Sequence, residues 1–170
     1  MKCNTQQNNY YFGPAAVRMA LAYCGYNYSQ ATLASMLGTT SSSETAAGDT
    51  IPNVMNNITA GSTYKFYWIW QNDLTYTALF KQHCFADLVN AAHKNPIVVN
   101  TLEDAGVPIL KEHEVYGRLD HFGVVNGIFQ SGDMVKYTDP GYGLFSGFVK
   151  EQNVTLVNMC RALGGKGYVY

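Results

Sequence analysis

Apolar positions crowd residues 13–24, where Ala15, Ala16, Val17, Met19, Ala20, Leu21 and Ala22 leave almost no polar stripe. That pattern predicts a strong helix buried nearly all round. Gly13-Pro14 marks its start: proline suits a first turn, where a missing N–H loses nothing, and glycine admits close backbone approach. Gly25 ends it as a left-handed cap. Ser29 caps a second helix over residues 30–37, with Ala31, Leu33, Ala34 and Leu37 on one face and Gly38 as its stop. The two predict a helical hairpin. Residues 39–49, rich in Ser, Thr and Gly, predict an exposed loop. Thr50-Ile51-Pro52 opens a third short helix with Val54, Met55 and Ile58 inward.

Beyond residue 64 the pattern changes period. YKFYWIW, residues 64–70, is aromatic and β-branched and predicts a strand. Helical spacing returns through Phe85, Leu88, Val89 and Ala92, so residues 85–93 predict a helix. PIVVNTL, residues 96–102, suits a buried strand, and the charged, irregular residues 103–120 read as a loop able to cover a cleft. Residues 121–130 and 134–139 form a predicted hairpin about the Ser131-Gly132-Asp133 turn. That hairpin brings His121, at the start of one strand, beside Asp139, at the end of the other. Residues 149–163 fit either a helix or a strand pair, and residues 166–170 a final strand. Helices first and an antiparallel sheet afterwards predict an α+β fold.

With 170 residues, 47% of them hydrophobic, the chain holds one good core and is short for two, so residues 1–170 are expected to form a single domain. Net charge is −1 and only 14% of residues are charged, which gives nucleic-acid binding by counterion release little to draw on. No run of about 18 apolar residues predicts a membrane span. The Met1-Lys2-Cys3 start has no apolar leader and reads as lacking a signal peptide. Cys3, Cys24, Cys84 and Cys160 show no CxxC spacing, and no His or Cys pair has ligand spacing, so neither a metal nor another cofactor is expected. Cys24, on the first helix, reads as a small buried hydrophobe. His83, His93 and His113 read as surface or loop residues.

Phe12 occupies a chemically favoured position, the N-terminus of the buried helix, where free N–H groups and the dipole stabilise an anion. Gln6, five residues, then Phe12-Gly13-Pro14-Ala15-Ala16 resembles the start of the C39 and C39-like papain-fold cysteine peptidases, which carry Gln, five residues, Cys-Gly-Pro-Ala. His121 with the following Phe-Gly-Val-Val-Asn-Gly-Ile, and Asp139-Pro140 after the hairpin, resemble the family's His and Asp motifs. Three motifs in order cover most of the chain. The resemblance implies a papain-like fold with Gln6 as oxyanion-hole donor, His121 as general base and Asp139 as its orienting carboxylate. Gln7 is the alternative to Gln6. The position of the nucleophilic Cys falls on Phe12.

A phenyl ring has no lone pair, and losing a nucleophile of this kind costs on the order of a millionfold in turnover. Cys24 lies twelve residues along the helix, roughly 18 Å away. Cys3 belongs to a polar leader expected to be mobile at its start, which makes it a poor replacement. The resemblance therefore implies a pseudo-peptidase that keeps a cleft for polypeptide, as degenerate domains of this family in bacterial exporters do. Similar proteins are secreted or exporter-associated. Two other readings stand beside it: an active peptidase altered at Phe12, and a structural or assembly domain whose cleft Phe12 plugs and whose partner meets the YKFYWIW edge.

Overall fold

The computed structural model describes residues 1–60, 63–90, 94–103, 110 and 118–170. Its core element is α1 (Phe12–Tyr23), buried from Gly13 to Val17 and again from Met19 to Leu21. Gly25, at φ 91°, turns the chain out of it. Helix α2 (Gln30–Leu37) starts at Ser29, whose side chain accepts from the Thr32 N–H, and stops at Gly38 in the left-handed conformation. Helix α3 (Thr50–Thr59) buries Ile51, Val54 and Met55, and Ile58 is half-buried against the same cluster.

These helices pack on a six-stranded antiparallel sheet of order β1-β6-β2-β3-β4-β5, built from β1 (Phe66–Trp68), β2 (Ile97–Glu103), β3 (Leu119–Ile128), β4 (Met134–Thr138), β5 (Glu151–Thr155) and β6 (Gly167–Val169). The architecture is α+β, as the order of patterns predicts. Side-chain alternation divides the apolar residues into two clusters. Val98, Phe122, Val124 and Val169 join α1, α2 and α3. Ile97, Val99, Val125, Val135 and Tyr137 join the remaining helices, α4 (Tyr76–Phe85) and α5 (Leu156–Leu163). Strands β2 and β3 are covered by apolar residues of both clusters, which explains why consecutive apolar residues occur at Ile97–Val99 and Val124–Val125.

Several expectations are corrected. The strand expected over residues 64–70 is shorter, Phe66–Trp68 on β6, with Lys65 and Ile69 on either side still hydrogen-bonded through the backbone to Tyr170 and Lys166. The helix expected over residues 85–93 begins nine residues earlier as α4 and continues as a π-helical turn, Ala86–Asn90, in which Leu88 is buried but Val89 is exposed. Residues 91–93, with His93, lie outside the described residues, as do His113 and most of the expected loop over residues 103–120. Residues 149–163 are neither one helix nor a strand pair: β5 runs directly into α5 at Thr155, whose hydroxyl accepts from the Asn158 N–H as an N-cap. No helix among the described residues is long and apolar enough to cross a membrane.

Candidate functional site

The β3–β4 hairpin positions a fully buried polar pair. Val124 pairs with Thr138, so Asp139, one step further, comes alongside Gly123, two residues from His121 on the same pleat. His121 Nε2 lies 2.7 Å from Asp139 Oδ1, and both side chains are fully buried. Asp139 Oδ1 also accepts from the Gly141 N–H at 2.7 Å, and Oδ2 accepts from the Tyr137 hydroxyl at 3.2 Å. A carboxylate only accepts, so Nε2 carries a proton, and the tautomer this bond selects has its lone pair on Nδ1. The imidazole is thereby fixed in orientation and tautomer, which a general base requires.

Phe12 begins α1, and its ring meets the His121 imidazole edge-on, 4.6 Å between centroids and inclined at 79°. On another side it stacks with Phe145 at 5.6 Å and 19°. Phe148 stands against His121, 5.4 Å between centroids and at 84°. The helix start supplies no side-chain cap, since Tyr11 is the N-cap and makes no such bond. Gly13 is required there for a packing reason: a Cβ would stand 2.3 Å from Thr45 Oγ1. Thr45 is itself held by Thr39, hydroxyl to hydroxyl at 2.6 Å. A cavity of about 430 Å³ opens beside Phe12 and Gly13, walled by residues 40–45 and by Asp120 and Phe122.

Gln6 is buried and Gln7 exposed. The Gln6 backbone N–H donates to Pro140 O at 2.8 Å, which joins the N-terminal segment to the chain just past Asp139. Its Nε2 donates to Asn8 O at 2.8 Å, while Oε1 is buried and accepts no hydrogen bond among the described residues. The structure thus brings Phe12, His121 and Asp139 together and sets Gln6 against the Asp139-Pro140 segment, with its amide nitrogen engaged locally. No three His, Cys, Asp or Glu side chains among the described residues cluster as a metal site would need.

The family model that matches this chain is described as the Peptidase_C39 like family and covers residues 1–158. The chain belongs to the Peptidase_C39 like family. The peptidase domain of Streptococcus ComA, a bi-functional ABC transporter involved in a quorum sensing pathway, aligns over 98% of this chain and 94% of that domain. With 18% identity and a TM-score of 0.56, the likeness is one of fold. No curated protein matches.

Within this C39-like fold, some residues around the pair escaped the sequence patterns. Tyr137 had a usable signal, since it lies two residues before Asp139 and therefore on the same strand face. Gly123 makes room for it: a Cβ there would sit 2.3 Å from the Tyr137 ring. Phe145 and Phe148 lie in an irregular segment with no period to read.

The cysteines also differ from expectation. Cys3 is half-buried, packs against the helical cluster and donates to Asp139 O at 3.3 Å, so the leader is pinned where mobility was expected. Burial is the main cause that raises its pKa, to about 11, with Lys150 pulling the other way. It is not a ready thiolate. Cys24 is half-exposed at the C-cap of α1, not a buried hydrophobe, with Sγ 3.6 Å from Asn95 Oδ1. His83 is no simple surface residue either: its Nδ1 is 2.7 Å from the Tyr168 hydroxyl, and its ring stacks on Tyr170 at 3.8 Å.

Proposed function

We propose that this C39-like domain is a pseudo-peptidase, with Phe12 at the position of the family's nucleophilic cysteine, and that it holds an extended polypeptide without cutting it. The contact of the Phe12 ring with the buried His121–Asp139 pair, 4.6 Å between ring centroids, carries the proposal. In that assignment His121 is the residue of the general base, Asp139 orients it, and Gln6 is the residue of the oxyanion-hole donor. A phenyl ring at the attacking position supplies no electron pair, so the base has nothing to deprotonate. What remains is a shaped cleft, and the cavity of about 430 Å³ beside Phe12 lies within the usual size of a ligand site.

The stack of Phe12 on Phe145 favours a second role for the same ring, that of a structural plug closing one end of the cleft. The two are separated by binding. A pseudo-peptidase binds peptide libraries and releases them uncut, with no labelling of the site by thiol-directed peptidase inhibitors. A purely structural plug binds none. Turnover that vanishes in His121→Ala overturns the non-catalytic assignment.

A further inference from the structure

Strand β1 is an outer strand of the sheet, and its pairing decides which of its backbone groups are free. Lys65 and Tyr170 exchange both main-chain hydrogen bonds, at 2.8 and 3.1 Å, so Lys65 turns its N–H and C=O toward β6. These groups alternate between the two edges of an antiparallel strand, and Tyr67, opposite Tyr168, therefore turns inward as well. Tyr64, Phe66 and Trp68 turn theirs outward. The first of these is closed off: the Asn56 amide of α3 donates to Tyr64 O at 3.0 Å and accepts from its N–H at 2.6 Å, as a neighbouring strand would. Phe66 and Trp68 have no such cover. Among the described residues no group bonds their outward N–H and C=O.

Ile69 still bonds to Lys166, so the extended run reaches Trp70. Alternate side chains of such a run share a face, which sets Phe66, Trp68 and Trp70 in a row beside the open edge. Their rings meet edge to face, 6.4 Å between the first two and 6.1 Å between the last two. Both tryptophans are left in solvent, Trp68 at 44% and Trp70 at 64% exposure. Phe66 packs on the cluster that also holds Phe12, so the row lies on that side of the sheet. Phe66 and Trp68 also wall a chamber of about 300 Å³ that meets the cavity beside Phe12 at Glu44, Thr45 and Asp120.

We propose that β1 takes an extended segment of the bound polypeptide as a seventh strand, pairing with the open groups of Phe66 and Trp68 and laying apolar side chains on the aromatic row. Main-chain bonds supply the affinity of such pairing, and alternate side chains its selectivity. Residues directly opposite each other project from the same face, so those facing Phe66 and Trp68 lie against the rings, where aromatic and β-branched side chains pack well. Three residues of strand, at about 3.4 Å each, bury far less than the roughly 1,200 Å² that a stable pair of folded copies needs. A short extended segment is the occupant that fits, and the shared chamber joins it to the groove at Phe12. To that extent the assignment rests on the polypeptide-binding function proposed above.

The test uses the intact chain and a fluorescein-labelled octapeptide pool with Val, Ile, Phe or Tyr at alternate positions and Ser, Thr or Lys between them. Proline lacks an N–H, and at position 68 the lost N–H is the outward one, so Trp68→Pro removes an edge donor and spares the β1–β6 ladder. Trp68→Ala loses the same ring and keeps the donor. Anisotropy titrations are expected to show Trp68→Pro binding the pool about fivefold more weakly than Trp68→Ala. Hydrogen exchange in the parent chain, read by NMR, needs no variant to fold: saturating pool is expected to slow the Phe66 and Trp68 amides about tenfold. Equal affinity of the two variants, unchanged exchange at both amides, or a dimer in sedimentation that Trp68→Pro dissolves overturns the seventh strand while the polypeptide function stands. So does a parent that binds an unrestricted octapeptide library but not this pool. Binding of neither overturns both.

Discussion

The Tyr137 hydroxyl donates to Asp139 from two residues away along β4, 3.2 Å from Oδ2, while His121 Nε2 occupies Oδ1. The carboxylate is thus held from both oxygens before any substrate arrives. This geometry costs something to maintain, since a fully buried carboxylate must be solvated by protein donors alone. Removing one donor measures that cost. Tyr137→Phe is expected to lower stability by about 1.5–3 kcal/mol, the range for hydrogen bonds to charged groups. Urea denaturation followed by circular dichroism reads the change, and an unchanged midpoint would show that Tyr137 contributes nothing to holding Asp139.

Gly13→Ala sets two effects against each other. Alanine is the better helix former by about 1 kcal/mol. The new Cβ, however, would fall 2.3 Å from Thr45 Oγ1, on a side chain that is buried and tied to Thr39. Overpacking of this kind costs about 1–3 kcal/mol, so the variant is expected to be less stable than the parent despite its propensity. A rise in the urea midpoint contradicts the packing of the loop on the helix start.

His83 gives the protein a pH dependence of calculable sign. Burial lowers its pKa below the ordinary histidine value of 6.5, while its Nδ1 stays on the Tyr168 hydroxyl. The unfolded chain then binds that proton more readily than the folded one. Stability from this group is complete above the ordinary range and is lost as pH falls through it toward the lowered value. His83→Asn keeps a polar atom near Nδ1 and removes the titration. Urea midpoints taken between about pH 8 and pH 5 are expected to fall more steeply in the parent than in the variant. Parallel slopes would mean that His83 titrates normally.

Much of this was legible in the sequence because strong local signals agreed with the tertiary fold. Ser29 and Gly38 bound α2 in the sequence and in the structure, and the Ser131-Gly132-Asp133 turn fixed the hairpin that carries His121 and Asp139. Illegible segments lacked such agreement. Helix α4 buries only Phe80 and Cys84 among ten residues, so no apolar stripe announces it. The change from β5 to α5 happens within one residue, and Thr155 ends one period while capping the next.

The central claim is that Phe12 stands where a nucleophile would, in a site otherwise assembled. Phe12→Cys tests it most directly. Its folded fraction must first be measured, because removing a packed ring costs about 2–4 kcal/mol. Background from other thiols is expected to be small at neutral pH, since burial raises the pKa of all four native cysteines, Cys3 and Cys160 to about 11. The measurement is the rate of iodoacetamide labelling at position 12 against pH, with and without His121→Ala. The expected result is a thiolate pKa well below the free-cysteine value of about 8.5, returning toward it when the imidazole is removed. A pKa near the free value that is indifferent to His121 would contradict the account.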